Sequence, residues 1–206
     1  MHRMSHGRVV FMTFLLFLLM GVSIMPDKKG QNFFTEKMRL ELEQREGSTP
    51  VMENTGDWSV RGIRQQPYDE WTRKKGKQYQ DVRTLQPTQR AEYYNDAYYS
   101  GPKLNQLPKG ISELVFDYGI TSHPITAIKS MQAVVGAKTD GKVGPNTIAK
   151  LNTMIKEQGL TKVQNELLDA REAHYQYLAR VDPEKYRRYF QGWINRVESL
   201  RTKLGE

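Results

Sequence analysis

Successive amphipathic helices bounded by Gly or Pro are the feature that most constrains the fold of this chain of 206 residues. Apolar residues recur three and four positions apart, which places them on one face of a helix. The pattern predicts helices over residues 88–99, from 108 onward, 124–135, 147–155, 161–180 and 183–204, after a first helix over 35–46. Since no internal repeat occurs, we expect one mostly α domain.

The segment from Ser48 to Gln86 interrupts the helical pattern. Gly, Pro, Asn and Asp recur in it without sustained periodicity, which predicts loop or short irregular structure, with room for a small β-hairpin. A long irregular segment inside a compact domain usually has a functional role. We therefore expect the functional site to lie beside it.

An uncharged hydrophobic run from Val9 to Met25 follows Arg3 and Arg8. It lies at the lower length limit for a membrane span, and its first part also fits the apolar core of a signal peptide. The two arginines place the N-terminus in the cytoplasm, so the chain after Pro26 should face the periplasm or the exterior. The sequence predicts either an inner-membrane anchor, which would be an N-terminal hydrophobic helix, or an exported protein.

Composition narrows the kinds of site that the chain can build. It has no cysteine, which removes disulfides, thiol catalysis and Cys-ligated zinc, and its 4 histidines are scattered. We expect no metal and no cofactor. The formal net charge is +8, with a dense basic run from Arg61 to Lys77, and favours an anionic partner. An export signal argues against nucleic acid, and we expect a monomer bound to the bacterial envelope.

Five local patterns follow one another along the chain: EG at 46–47, GDWSVRGI at 56–63, LVFDYGITSHPITAIKSMQ at 114–132, DGKVGPNT at 140–147 and QGWINRV at 191–197. In this order they resemble the glycoside hydrolase family 108 lysozymes over nearly all of residues 34–204. Four positions depart from the family pattern: Ser48 and Asp57 each replace a glycine, Ser59 replaces a threonine and Thr121 replaces an asparagine.

The resemblance implies a lysozyme-like single domain that hydrolyses the β-1,4 bond between N-acetylmuramic acid and N-acetylglucosamine in peptidoglycan. Residues 1–26 would be the signal or anchor, and residues 27–135 the catalytic region. Residues 136–206 would form a peptidoglycan-binding-like helical region packed into the same domain. Such enzymes serve as phage endolysins, in secretion or in wall remodelling.

Glu46 is the candidate catalytic residue. By spacing alone it is an ordinary charged residue at a helix end, whereas the resemblance makes it the general acid. Cleavage of a glycosidic bond requires protonation of the leaving oxygen. A carboxyl group does this near neutral pH when partial burial raises its pKa.

Hydrolysis also requires a group that positions water or stabilises the oxocarbenium-like transition state. Glu53 and Asp57 follow Glu46 closely and could face it, while Ser59 occupies the family's threonine position and could hold a water. Stabilisation of turns by short polar side chains is the alternative role for all three.

Asp117 and Tyr118 are candidates for supporting the cleft. Asp117 lies on an otherwise apolar helix face, and a buried carboxylate must be paired or hydrogen-bonded, which favours a structural brace over a second catalyst. Tyr118 falls on the buried face of the same helix. Asp140, by contrast, is explained by turn formation in DGKVGPNT.

Two other functions remain open at this point. A lytic transglycosylase also uses one glutamate but forms an anhydro sugar without adding water. An inert, membrane-tethered peptidoglycan-binding protein would retain the wall-binding region while the altered motif positions abolish catalysis.

Overall fold

The segment after residue 48 begins with a small antiparallel sheet. The computed structural model describes residues 49–53 and 56–205 and contains strands β1 (Val51–Met52), β2 (Trp58–Val60) and β3 (Ile63–Arg64), in that order. Arg61 and Gly62 connect β2 to β3, and their φ angles of 50° and 76° are those of a two-residue type I′ turn. The predicted hairpin is therefore present, with a third strand added to it.

A helix that the sequence reading missed follows the sheet directly. Helix α1 (Gln65–Lys74) occupies a stretch for which we predicted loop, and that prediction was wrong there. Its buried face consists of Tyr68, Trp71 and Thr72, which are three and four positions apart. Two basic residues lie in its last turn, where they interact favourably with the helix dipole.

The rest of the described chain is mostly helical, as predicted. Its α-helices are α2 (Pro87–Tyr94), α3 (Lys109–Ser122), α4 (Pro124–Val134), α5 (Pro145–Gln158), α6 (Leu160–Val181) and α7 (Pro183–Gly205). A π-helical turn (Asn95–Tyr99) extends α2, and short 3₁₀ turns cover Val82–Thr84 and Leu104–Gln106. Proline begins α2, α4, α5 and α7, because its fixed φ suits the first turn and its missing N–H is not needed there.

The core is continuous from the sheet to the C-terminal helices. Helix α3 lies at its centre and packs against α4 and α6, while α6 and α7 pack along each other. At the other end, α1 and α2 bury an aromatic cluster of edge-to-face and tilted rings. This cluster consists of Tyr68, Trp71, Tyr93, Tyr94 and Tyr98. The tyrosines of α2 thus pack in the core, as their spacing suggested.

The predicted N-terminal elements, the hydrophobic run from Val9 to Met25 and the helix ending near Gly47, lie outside the described residues. Across residues 49–53 and 56–205, no helix combines the length and the apolar character that a membrane span requires.

Candidate functional site

The proposed acid, Glu46, lies outside the described residues, so the candidate site is defined by the segment that follows it. Glu53 stands at the end of β1 and closes a turn through its backbone. Its N–H donates to the carbonyl of Asp57 at 2.8 Å, and its carbonyl accepts from the N–H of Gly56 at 2.9 Å. Gly56 has a φ of 75°, a conformation that side-chain-bearing residues rarely adopt.

Asp57 anchors the sheet to the start of α1. Its carboxylate oxygens accept from the backbone N–H of Gln66 at 3.2 and 3.3 Å, and Oδ2 lies 3.5 Å from Nε of Arg64. The Asp57 side chain is 12% exposed, so most of it is covered by these neighbours. A carboxylate at the N-terminal end of a helix satisfies free N–H groups and interacts favourably with the dipole. This geometry matches a role in stabilising the turn and the helix.

Ser59 lies on the face of the sheet that points away from the core. It pairs with Val51 on β1 and with Arg64 on β3, whereas its neighbour Val60 points into the core. Because directly paired residues share a face, Ser59 and the Arg64 that contacts Asp57 lie on the same side of the sheet. The structure thus places Ser59 on the same side of the sheet as the contact between Asp57 and Arg64.

Asp117 is the centre of a buried ionic cluster between three helices. Its Oδ1 accepts from Nη1 of Arg171 on α6 at 2.7 Å and from Nε of Arg196 on α7 at 3.0 Å, and its Oδ2 accepts from Nη2 of Arg196 at 3.1 Å. Burial by itself raises the pKa of the Asp117 carboxyl, but the charges of Arg171 and Arg196 hold that pKa below its usual range. Asp117 is therefore ionised and paired, as expected for a buried carboxylate.

Tyr118 and Thr121 extend this cluster along the same side of α3. The hydroxyl of Tyr118 forms a hydrogen bond with Nδ1 of His174 at 2.5 Å, and burial raises the pKa of Tyr118 while it lowers that of His174. The Thr121 hydroxyl forms a hydrogen bond with the Tyr175 hydroxyl at 2.5 Å and accepts one from Arg171. The residue at the family's asparagine position therefore bonds to α6.

Sequence reasoning missed the basic members of this cluster. Arg171 stands four residues after Leu167 and four before Tyr175, on the apolar stripe of α6, and its side chain is 1% exposed. An arginine within an apolar stripe is a signal that a buried acid lies nearby, because a buried charge must be paired. Arg196 was within the quoted QGWINRV motif, but nothing in that motif indicates its partner.

The DGKVGPNT turn is organised by Gln132 of α4, which is fully buried. Its Nε2 donates to Oδ1 of Asp140 at 2.9 Å and lies 3.1 Å from Oγ1 of Thr147, while its Oε1 accepts from the N–H of Gly141 at 2.8 Å. Gly141 has a φ of 74° and approaches α4 so closely that a Cβ would lie 2.8 Å from a methyl carbon of Ile125. The turn residues thus have the structural roles predicted for them.

No group of three or more His, Cys, Asp or Glu side chains suited to a metal ion occurs among residues 49–53 and 56–205. The chemistry of the described segment is that of carboxylates, hydroxyls and amides, the groups that acid–base hydrolysis of a sugar requires.

Comparison with known proteins identifies two regions. Residues 42–122 match the family model described as glycosyl hydrolase 108, and residues 126–198 match the one described as predicted peptidoglycan domain. The fold resembles that of SagA from Brucella abortus, with 27% sequence identity and a TM-score of 0.67, over 82% of this chain and 91% of that chain. No curated protein matches the chain. Residues 42–122 are thus similar to a glycosyl hydrolase 108 domain and residues 126–198 to a predicted peptidoglycan domain, which indicates that the chain is a lysozyme-like glycoside hydrolase.

Proposed function

We propose that the chain is an N-acetylmuramidase that hydrolyses the β-1,4 bond between N-acetylmuramic acid and N-acetylglucosamine, with Glu46 as general acid. The supporting observation is the order of the two matched regions. The glycosyl hydrolase 108 match begins at residue 42 and so includes Glu46 and the sheet, and the predicted peptidoglycan domain follows at once. A glycosyl hydrolase region joined to a predicted peptidoglycan domain supports peptidoglycan as the proposed substrate.

In the proposed reaction Glu46 protonates the glycosidic oxygen while positive charge develops on the anomeric carbon. Water then adds at that carbon, and its proton passes to a carboxylate or to solvent. Asp57 is assigned a positioning role, because its oxygens are already bonded to the N-terminus of α1 and to Arg64. Ser59, which lies on the same side of the sheet, is the better candidate for holding the water.

The location follows from the N-terminal segment. Val9 to Met25 would direct the chain to the inner membrane and either hold it there or be removed, with the hydrolase domain in the periplasm. This is the compartment in which peptidoglycan is accessible, and release from the membrane would then control lysis by an endolysin. We propose that the chain acts as a monomer and binds no nucleic acid.

The direct test measures release of reducing ends from purified, insoluble peptidoglycan by the full-length chain in mild detergent. We expect Glu46→Gln to abolish release, because an amide N–H is far too weakly acidic to protonate the leaving oxygen. Removal of a general acid typically costs about a hundredfold to ten-thousandfold in rate. Glu157→Gln, the same substitution at an exposed position of α5, is the matched control and should leave the rate unchanged. Full activity of Glu46→Gln would refute the assignment of the acid.

Mass spectrometry of the products separates hydrolysis from the transglycosylase alternative. Hydrolysis adds water, so fragments about 18 Da lighter than the hydrolytic ones would replace the proposal with lytic transglycosylation. If wild type and Glu46→Gln both sediment with peptidoglycan but neither releases fragments, the chain is an inert wall-binding protein instead.

A further inference from the structure

A surface cleft of about 510 Å³ lies between α2 and the loop that follows α1. Its walls are residues 77–80, Tyr68 of α1, and Gln89 and Glu92 of α2. The volume falls within the range of about 300–1,000 Å³ that small-molecule sites occupy. The cleft lies within the glycosyl hydrolase 108 match, and none of its lining residues has a role in the mechanism above.

The walls of this cleft are held in place before any ligand binds. The side-chain amides of Gln80 and Gln89 form two hydrogen bonds with each other, at 3.2 and 2.6 Å. Gln65 fixes the loop from the other side, because its Nε2 donates to the carbonyl of Gln80 at 3.0 Å and its Oε1 accepts from the N–H of Val82 at 2.8 Å. A fixed wall lowers the entropic cost of binding.

The charges in the cleft compensate each other. Nζ of Lys77 lies 2.6 Å from both carboxylate oxygens of Glu92, and it also lies 5.1 Å from the ring centroid of Trp71. The other polar groups of the lining are amides and tyrosine hydroxyls, which donate and accept hydrogen bonds without a net charge. A neutral ligand rich in hydroxyl and amide groups fits this lining better than an anion does.

Tyr79 supplies an apolar surface that the fold does not use. Its side chain is 69% exposed, whereas Tyr68, Tyr93 and Tyr94 are 3% exposed or less. An aromatic ring offers a flat apolar face with negative charge above it, which attracts the C–H groups on one side of a pyranose ring. Tyr79 thus provides the stacking surface, and the neighbouring amide of Gln78 provides the hydrogen bonds.

We propose that this cleft is a subsite for an N-acetylated sugar of the glycan strand, in which Tyr79 stacks on the pyranose ring and the amide of Gln78 binds its hydroxyl or acetamido groups. The inference rests on the proposed function for the identity of the ligand. Tyr79 is accordingly a substrate-binding residue that takes no part in proton transfer. It contributes to affinity and leaves the chemical step unchanged.

The test uses the β-1,4-linked tetramer of N-acetylglucosamine as the probe and titrates it into the full-length Glu46→Gln variant. We expect Tyr79→Ala to weaken binding about tenfold or more, which is the effect of losing one stacked contact. Tyr79→Phe keeps the ring and should bind within about twofold of the parent. Tyr177→Ala removes a similarly exposed tyrosine, 52% exposed on α6, and should change nothing.

On peptidoglycan, Tyr79→Ala should raise KM and leave kcat unchanged in the chain that retains Glu46. Binding of the tetramer should also be insensitive to NaCl up to about 0.5 M, because the cleft is neutral. A steep loss of affinity with salt would overturn the inference, since a neutral sugar in a cleft of compensated charge offers no charge interaction for salt to screen.

The outcomes distinguish the two proposals. If the chain hydrolyses peptidoglycan but Tyr79→Ala binds the tetramer as tightly as its parent, the subsite is wrong and the muramidase stands. If Tyr79→Ala weakens tetramer binding but the wild type releases no fragments, the subsite stands and the muramidase is wrong. Absence of any tetramer binding by the parent overturns the subsite.

Discussion

The substitution Asp117→Asn should destabilise the fold far more than the same change at an exposed aspartate. Asp117 compensates two arginine charges, and the side chains of Arg171 and Arg196 are only 1% and 12% exposed. Asparagine keeps the size of the side chain but not its charge, so both guanidinium groups lose their counter-ion in the interior. Breaking a buried ion pair by removing one partner costs about 3–5 kcal/mol, and we expect a loss of that size.

The matched control is Asp169→Asn. Arg201 Nη2 lies 2.7 Å from Oδ1 of Asp169, the distance found between Arg171 and Asp117, but the Asp169 side chain is 65% exposed. Since water screens an exposed pair, this substitution should cost less than about 1 kcal/mol. Urea unfolding followed by tryptophan fluorescence measures both losses as shifts in the midpoint at an unchanged slope. Equal losses in the two variants would refute the reasoning from burial.

The same cluster predicts how the loss depends on pH. The pKa of Asp117 is lowered in the folded state, so its carboxylate contributes stability that is present above the unfolded pKa of about 3.9 and is lost as pH falls through the folded pKa. The difference in unfolding free energy between wild type and Asp117→Asn should therefore be constant from neutral pH to about pH 5 and shrink below about pH 4. A difference that stays constant to pH 2 would contradict an ionic origin.

Three further predictions concern other parts of the fold. Gln132→Leu leaves the N–H of Gly141 without its acceptor, so thermal unfolding should report a loss of about 1–3 kcal/mol for each group left unpaired. Asp57→Asn keeps an oxygen for the N–H of Gln66, so its rate of peptidoglycan hydrolysis should stay within about threefold of the wild-type rate. A loss of about a hundredfold in that rate would mark Asp57 as catalytic. Burial lowers the pKa of His174, so the folded state takes up fewer protons than the unfolded state. The free energy of unfolding should therefore fall as pH drops below about 6.5, and the fall should be smaller in His174→Gln.

Local sequence patterns predicted the order of helices because apolar spacing and Gly or Pro boundaries are local properties. Helix α1 was missed because its local sequence carries no clear apolar spacing. Its buried face is made of Tyr68, Trp71 and the polar Thr72, and it lies within a stretch rich in charged and turn-forming residues. The packing of Tyr68 and Trp71 against the ring of Tyr93 on α2, which identifies the buried face, is not visible in the local sequence.

The sequence indicated which types of residue the candidate site contains, but not which side chains pair with them. The rule that a buried carboxylate must be paired indicated that Asp117 had counter-ions. Those counter-ions are 54 and 79 residues further along the chain, on two helices whose placement no local pattern fixes. The hydrogen bond from Gln66 to Asp57 was equally invisible, because it depends on a helix that the sequence reading did not contain.

The ionic cluster also bears on how the two matched regions relate to each other. Asp117 and Thr121 lie in the glycosyl hydrolase 108 match, whereas Arg171, Tyr175 and Arg196 lie in the predicted peptidoglycan domain. The charge of Asp117 is therefore compensated by side chains of the second region, and we infer that the two regions fold as one unit. Thr121, which departs from the family's asparagine, lies at this boundary. Its hydroxyl bonds to Tyr175 and Arg171, so it contributes to the packing between the regions.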